Sequence, residues 1–224
     1  MPLFKIVVSL VVTMFISAVI TPFVRRLAFV LGAVDKPNAR RVNTKPMPTM
    51  GGLAIFLAFT FATFVLLRPQ FNTHMLFSLF GAEAVVIITG MIDDIKELTP
   101  KQKMLGLIIA ALVVYFLAGV RMTEVNLGFI HFELGWLSLP ITLLWIVGIT
   151  NAVNLIDGLD GLATGVSIIS LSTMGIIGFF FLTTAEVGTP IMIFTLVAAL
   201  IGFLPHNFHP AKIFLGDTGS LFIG

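Results

Sequence analysis

The 224-residue chain contains no cysteine. Disulfide bonds, cysteine-ligated zinc and thiol catalysis are therefore excluded. Charge is scarce as well: Asp, Glu, Lys and Arg make up 11% of the residues, against 58% apolar ones. No P-loop lysine follows a glycine-rich stretch, and the ligand spacing of an EF-hand calcium loop is missing. No linker, low-complexity tract or internal repeat divides the sequence, so residues 1–224 read as one integral membrane domain or the front of a longer one.

What is present is apolar and long. The chain has 22 Phe and a mean hydropathy of +1.08. A bilayer core asks for about 20 apolar residues per helix. Candidate spans run near 3–24, 50–67, 75–92, 104–120, 136–153, 161–182 and 190–205, and an eighth begins near Gly219 and stops at Gly224. The expected fold class is an all-α, polytopic transmembrane helical bundle with seven full spans plus the start of an eighth, read as C-terminally truncated. A secretory signal peptide does not suit the first segment: no small-residue cleavage site closes it and Arg25-Arg26 follows directly. The loop 121–135 alternates in part (Val125, Leu127, Phe129, His131), as a small hairpin does.

Counting Lys and Arg gives an orientation. One set of alternating loops holds Arg25, Arg26, Lys36, Arg40, Arg41, Lys45, Lys96, Lys101, Lys103 and Lys212; the other holds Lys5, Arg68 and Arg121. The positive-inside bias puts the first set in the cytoplasm. All six Asp fall on that side. The pI near 9.2 comes from these loops and needs no nucleic-acid partner.

Five of those acids stand in three short polar words. Asp93-Asp94 closes the third span, where the helix dipole disfavours both charges. It is either a solvated loop start or an acid pair held beside a cation, one member able to accept a proton. The second word holds Asn154, Asp157 and Asp160, with Gly158 and Gly161 allowing a tight turn. Asp160 is either an N-cap or a ligand group, whereas Asn154 and Asp157 have no capping role to play. The third word, around Gly216-Asp217-Thr218-Gly219-Ser220, offers Asp217 as a cap or a ligand, backbone N–H groups for a phosphate, and Phe214 as a face for a base. His206 and His209 read as interfacial polar residues, since imidazole suits Mg²⁺ poorly. Acids gathered at a membrane edge suit a hard cation and a phosphorylated substrate.

These words, in this order, resemble the polyprenyl-phosphate N-acetylhexosamine-1-phosphate transferase family, the superfamily of phospho-N-acetylmuramoyl-pentapeptide translocase. The stretch Asn151-Ala-Val-Asn154-Leu-Ile-Asp157-Gly-Leu-Asp160-Gly-Leu, followed later by Phe214-Leu-Gly216-Asp217-Thr-Gly-Ser220, carries the resemblance. It implies a bacterial plasma-membrane enzyme with its active site on the cytoplasmic face. The lipid phosphate of undecaprenyl phosphate attacks the sugar-linked phosphate of a UDP-sugar, and UMP leaves. By similarity Asn154 and Asp217 hold Mg²⁺, with Mn²⁺ as a substitute. Asp93 and Asp94 place or deprotonate the lipid phosphate. Asp157 and Asp160 shape the nucleotide side with Phe214 near the uracil, and Lys101 or Lys103 offsets diphosphate charge.

The stretches Asp35-Lys-Pro-Asn38-Ala-Arg40-Arg41-Val-Asn43 and Pro46-Met-Pro48-Thr-Met-Gly51-Gly52 look like the branch that transfers N-acetylglucosamine 1-phosphate to start teichoic acids, O-antigens or related polymers, with Asp35 and Arg40 on the substrate side. Asn43 departs from that pattern, where relatives often carry His. A homodimer is a further expectation. The family continues through more spans and a His-rich loop, so an inactive fragment is one alternative. Others are the muramoyl-pentapeptide branch and an intramembrane prenyltransferase, which Asp93-Asp94-Ile-Lys-Glu97 faintly resembles. A transporter places ionisable groups near the bilayer midplane, and only Glu83 qualifies.

Overall fold

The computed structural model describes residues 3–35, 46–126, 128, 131–181 and 188–224. Arg40 and Asn43 lie outside the described residues. Among these, the helices are α1 (Leu3–Leu31), α2 (Gly52–Phe61), α3 (Thr73–Lys96), α4 (Pro100–Val113), α5 (Ser138–Ile156), α6 (Leu162–Phe181), α7 (Gly188–Asn207) and α8 (Gly216–Ile223). α2 and α4 each run on into one wider π turn, Ala62–Leu66 and Val114–Ala118. Two antiparallel ribbons complete the list: β1 (Val34–Asp35) with β2 (Met47–Pro48), and β3 (Glu124–Asn126) with β4 (His131–Glu133). The second is the hairpin expected in 121–135, with Val125 opposite Phe132.

Six helical segments are long and apolar enough to cross a membrane: Leu3–Leu31, Thr73–Lys96, Pro100–Ala118, Gly135–Ile156, Leu162–Phe181 and Gly188–Asn207. The chain is a multi-pass membrane protein. Six of the seven expected full spans are matched; 50–67 is shorter, yet its two ends lie at opposite ends of the bundle, Gly52 beside Leu215 and Gln70 beside Gly188, so the alternation of loops stands. That stretch forms only Gly52–Leu66, roughly 22 Å of helix against a core of about 30 Å. Hydropathy still marks it because it is apolar on both faces: Ala54, Ile55 and Ala58 are fully buried among Val24, Phe59, Leu200 and Phe203, while Leu57, Phe61 and Val65 face outward.

Large side chains face outward and small ones inward, as helices packed in lipid require. α1 turns Phe4, Phe15 and Phe23 out and buries Ser9, Thr13, Ser17, Thr21 and Ala28. Its hydroxyls do not stay unpaired. Thr13 and Thr21 donate to carbonyls four residues back at 2.7 Å, and Ser17 donates across to Ala199 O of α7 at 2.7 Å.

Local chemistry sets the turn that matters most for function. α3 ends with Glu97 in the left-handed region (φ 50°), and α4 starts at once on a capping box of Thr99 and Gln102 with Pro100 in the first turn. This short hairpin sets Lys103, near the start of α4, against Asp93, near the end of α3.

α8 is wedged among α2, α3 and α5. Backbone hydrogen bonds pin the chain before it: Phe214 N–H donates to Pro48 O (2.9 Å), Gly51 N–H to Phe214 O (3.0 Å) and Gly52 N–H to Leu215 O (3.0 Å). Glycine makes the approach possible. A Cβ on Gly52 would overlap the backbone of Gly219, and one on Gly90 would come within 2.5 Å of Thr218 Cα. Gly52→Ala is therefore expected to destabilise the detergent-solubilised protein by about 1–3 kcal/mol, the range for overpacking, seen as a lower unfolding temperature. Gly148→Ala, whose Cβ meets nothing within 4 Å, is the matched control and should leave that temperature unchanged or higher.

Candidate active site

The ends of α3 and α5 and the starts of α4 and α8 meet at one end of the bundle, and they bring the three polar words together. Asp94 lies nearest the backbone. Its Oδ1 accepts the Asp217 N–H at 3.0 Å; its Oδ2 accepts the Thr218 N–H at 3.0 Å and the Thr218 hydroxyl at 2.6 Å. A carboxylate from α3 thus caps the N-terminus of α8, where unpaired N–H groups and the helix dipole favour an anion. This corrects the expectation that the Thr218 amide is free for a phosphate. Asp217 is not a cap either: it sits in the first turn of α8 while Asp94 does the capping.

Asp93 is 7% exposed and bonded twice: Oδ1 accepts Leu98 N–H at 2.5 Å and Oδ2 meets Lys103 Nζ at 2.5 Å. The same ammonium lies 2.5 Å from Asp217 Oδ2. The other Asp217 oxygen receives the side-chain amide of Asn154, which also donates to Ser220 Oγ at 2.8 Å. Burial pushes the Asp217 carboxyl upward, but hydrogen bonds with Asp93, Lys103 and Asn154 and the charge of Lys103 outweigh it and hold the group below the usual carboxylate range. Asp157, just past the end of α5, accepts a hydrogen bond from Gly216 N–H. Burial first, then the charges of Asp217 and Asp94, push it up to about 8. Near neutral pH Asp217 is therefore ionised while Asp157 holds its proton over much of the range.

Asp160 stands in the turn before α6, where Gly161 adopts φ 72°. Its Oδ2 accepts Ala211 N–H at 3.0 Å and faces His209 Nδ1 at 2.9 Å. It tethers the α7–α8 connection instead of capping α6, and His209 is its partner instead of a plain interfacial residue. A cleft beside it is lined by Leu204, Pro205, Phe208, His209, Pro210 and Lys212. Phe214 is half-buried and anchored through its backbone to Pro48 and Gly51. Lys101 is exposed, one helical step from Lys103, and among the described residues has no ion pair with these acids. Asp35 is half-buried on β1, paired through its backbone register with Met47.

Two functional candidates escaped the sequence reading: the Thr218 hydroxyl and Ser220. Both lie in a word already singled out, but only their backbone was weighed there. Among the described residues no three acid or imidazole side chains converge as a ready metal centre. A Mg²⁺ ion, however, usually takes one or two protein oxygens and fills its remaining positions with water and substrate phosphate. Asp217, ionised and flanked by an amide, fits that pattern.

Comparison with known proteins gives the family. The model of "Glycosyl transferase family 4" matches residues 75–224. The chain is 43% identical over 222 residues to a protein of Bacillus subtilis (strain 168) named probable undecaprenyl-phosphate N-acetylglucosaminyl 1-phosphate transferase, covering 98% of this chain and 60% of the relative. It is 34% identical to the phospho-N-acetylmuramoyl-pentapeptide-transferase of Halalkalibacterium halodurans, covering 99% of this chain and 71% of that one. The match to the same enzyme of Listeria monocytogenes serotype 4b is 35%, covering 97% and 70%. The chain thus spans about 60% of the length of the first relative. With a matched region that runs from the start of α3 to the end of α8 and contains Asp93, Asp94, Lys103, Asn154, Asp157 and Asp217, this chain belongs to glycosyl transferase family 4.

Proposed function

We propose that the full-length protein transfers N-acetylglucosamine 1-phosphate from UDP-N-acetylglucosamine to undecaprenyl phosphate, at the cytoplasmic face of a bacterial plasma membrane. A phosphate oxygen of the lipid forms a bond to the sugar-bearing phosphorus. The bond from that phosphorus to the bridging oxygen breaks, and UMP leaves with the oxygen and its electron pair. The product is a lipid-linked diphosphate sugar, the kind of primer on which a teichoic acid, O-antigen or related surface polymer is built. The observation that carries this reading is the 43% identity, over 98% of the chain, to the relative named for that reaction.

The site geometry supports the chemistry. Phosphoryl transfer calls for positioning and charge neutralisation more than for a covalent intermediate. Asp217 and Asn154 would hold Mg²⁺ (or Mn²⁺), which when bound neutralises developing charge on the diphosphate. Lys103 supplies a second positive charge at the same place. Asp93, held by Leu98 and Lys103, places the lipid phosphate and accepts its proton. Asp94 acts through the backbone it grips: it is a positioning residue that presents Asp217. Asp157 and Asp160, with the cleft beside them and Phe214, form the nucleotide side. The cytoplasmic orientation rests on the ten-to-three asymmetry of Lys and Arg.

Several relatives are named for the muramoyl-pentapeptide donor, so the donor is the point to test. Full-length protein in detergent, with Mg²⁺ and undecaprenyl phosphate, is expected to move label from UDP-N-acetylglucosamine into lipid and to release UMP. Labelling only from the muramoyl-pentapeptide donor would move the protein to the other branch. Labelled lipid with release of UDP in place of UMP would mean transfer of the sugar without its phosphate and would contradict the reading, and no labelling from either donor would defeat it.

A further inference from the structure

Both oxygens of Asp217 are already engaged. Oδ1 takes the Asn154 amide and Oδ2 lies 2.5 Å from Lys103 Nζ. The ammonium reaches Asp93 Oδ2 at the same distance, 2.5 Å. Lys103 thus stands where a cation on Asp217 would stand, and it is the one basic side chain paired with this acid group among the described residues. Its side chain is 20% exposed and springs from the first turn of α4, so its flexible stem has somewhere to go. A divalent cation on Asp217 Oδ2 would face the ammonium at short range and be repelled by it, so the two compete for that carboxylate.

We infer that Lys103 is an exchangeable counter-cation: its ammonium bridges Asp93 and Asp217 while no divalent cation is bound, and leaves Asp217 for the substrate's diphosphate when one binds. The inference rests on the reading of Asp217 as a ligand of that cation. It has a consequence for order of binding. The free enzyme binds Mg²⁺ weakly because Lys103 competes. A diphosphate relieves the competition by taking the displaced ammonium, so metal and nucleotide sugar strengthen each other, reciprocally. Lys103 also keeps the Asp93 and Asp217 carboxylates from repelling one another.

The direct test uses the wild-type, full-length protein in detergent, without substrate. An amine-acylating reagent is applied with and without Mg²⁺, and modification at each lysine is read by mass spectrometry. Mg²⁺ should raise acylation of Lys103 several-fold and leave that of exposed Lys101 unchanged. The second readout is Mg²⁺ binding followed by thermal stabilisation. Lys103→Met, which removes the competitor, should unfold at lower temperature without metal yet bind Mg²⁺ about tenfold tighter than wild type. Lys103→Arg, which keeps the charge and so guards against a folding defect in the first variant, should bind Mg²⁺ no more tightly than wild type. Suppose Mg²⁺ stabilises wild type but not Asp217→Asn, while Lys103 labelling does not rise: the exchange is then overturned and the metal assignment stands. Equal Mg²⁺ affinity in wild type and Lys103→Met overturns the exchange as well. If Mg²⁺ changes neither labelling nor stability in any of these proteins, the metal assignment of Asp217 fails and takes the exchange with it.

Discussion

Asp217→Asn is expected to lower turnover of the full-length protein by a hundredfold to a thousandfold. The substitution keeps the shape of the side chain and one oxygen but removes the charge. In the structure that charge faces Lys103 Nζ at 2.5 Å and the Asn154 amide, at the first turn of α8. Hydrogen bonds with Asp93, Lys103 and Asn154 hold its carboxyl below the usual range against burial. An uncharged amide there would bind a cation poorly and would offset less of the charge that develops on the transferring phosphate. Removing one such transition-state interaction typically costs about 3–4 kcal/mol. Folding should be little affected, because the backbone of residue 217 is held by Asp94 and not by its own side chain. Activity at matched expression, with unfolding temperature as the control, measures both halves of this expectation.

Asp94→Asn is expected to cost about as much activity for a different reason. Asp94 receives three donors: the N–H groups of Asp217 and Thr218 and the Thr218 hydroxyl. An asparagine has one oxygen for them, and its NH₂ group would face donors where an acceptor is needed. A buried donor left without a partner costs about 1–3 kcal/mol, and the favourable contact between a carboxylate and a helix N-terminus is lost as well. The first turn of α8 should loosen and carry Asp217 out of register with Asn154 and Lys103. Turnover should drop about a hundredfold, since displacements of about 1 Å have effects of that size. Unlike Asp217→Asn, this variant should also unfold at a distinctly lower temperature. Unchanged stability would mean that the α8 cap is not held by Asp94.

The sequence made much of this site readable, and for physical reasons. All six Asp of a chain so poor in charge fall near helix ends, and the clustering of five of them beside glycines marked the ends that matter. Asp93, Asp94, Asn154, Asp157 and Asp217 do meet, and the hairpin in 121–135 forms where its alternation placed it. Other features depend on contacts that no local pattern encodes. Asp94 and Thr218 are 124 positions apart, so the role of Asp94 as a cap for another helix was invisible, and its place at the unfavourable end of its own helix looked like a cost without a purpose. Asp160 read as a cap because a helix follows it, yet its partners, His209 and Ala211, lie on the far side of α7. Lys101 and Lys103 could not be separated by sequence. The α3–α4 hairpin turns one inward and leaves the other exposed. Hydropathy counted Gly52–Leu66 as a full span because it registers apolar residues whether they are buried, as Ala54 and Ile55 are, or face outward, as Leu57 and Val65 do.

The central claim is a division of labour: Asp217 meets the cation, while Asp94 holds the turn that presents it. Turnover against Mg²⁺ concentration, for wild type, Asp217→Asn and Asp94→Asn side by side, tests it most directly. The half-saturating Mg²⁺ concentration should rise strongly for Asp217→Asn and much less for Asp94→Asn, whose loss should appear mainly at saturating metal. Near-wild-type turnover for Asp217→Asn, or an Mg²⁺ shift for Asp94→Asn as large as that for Asp217→Asn, would contradict the account.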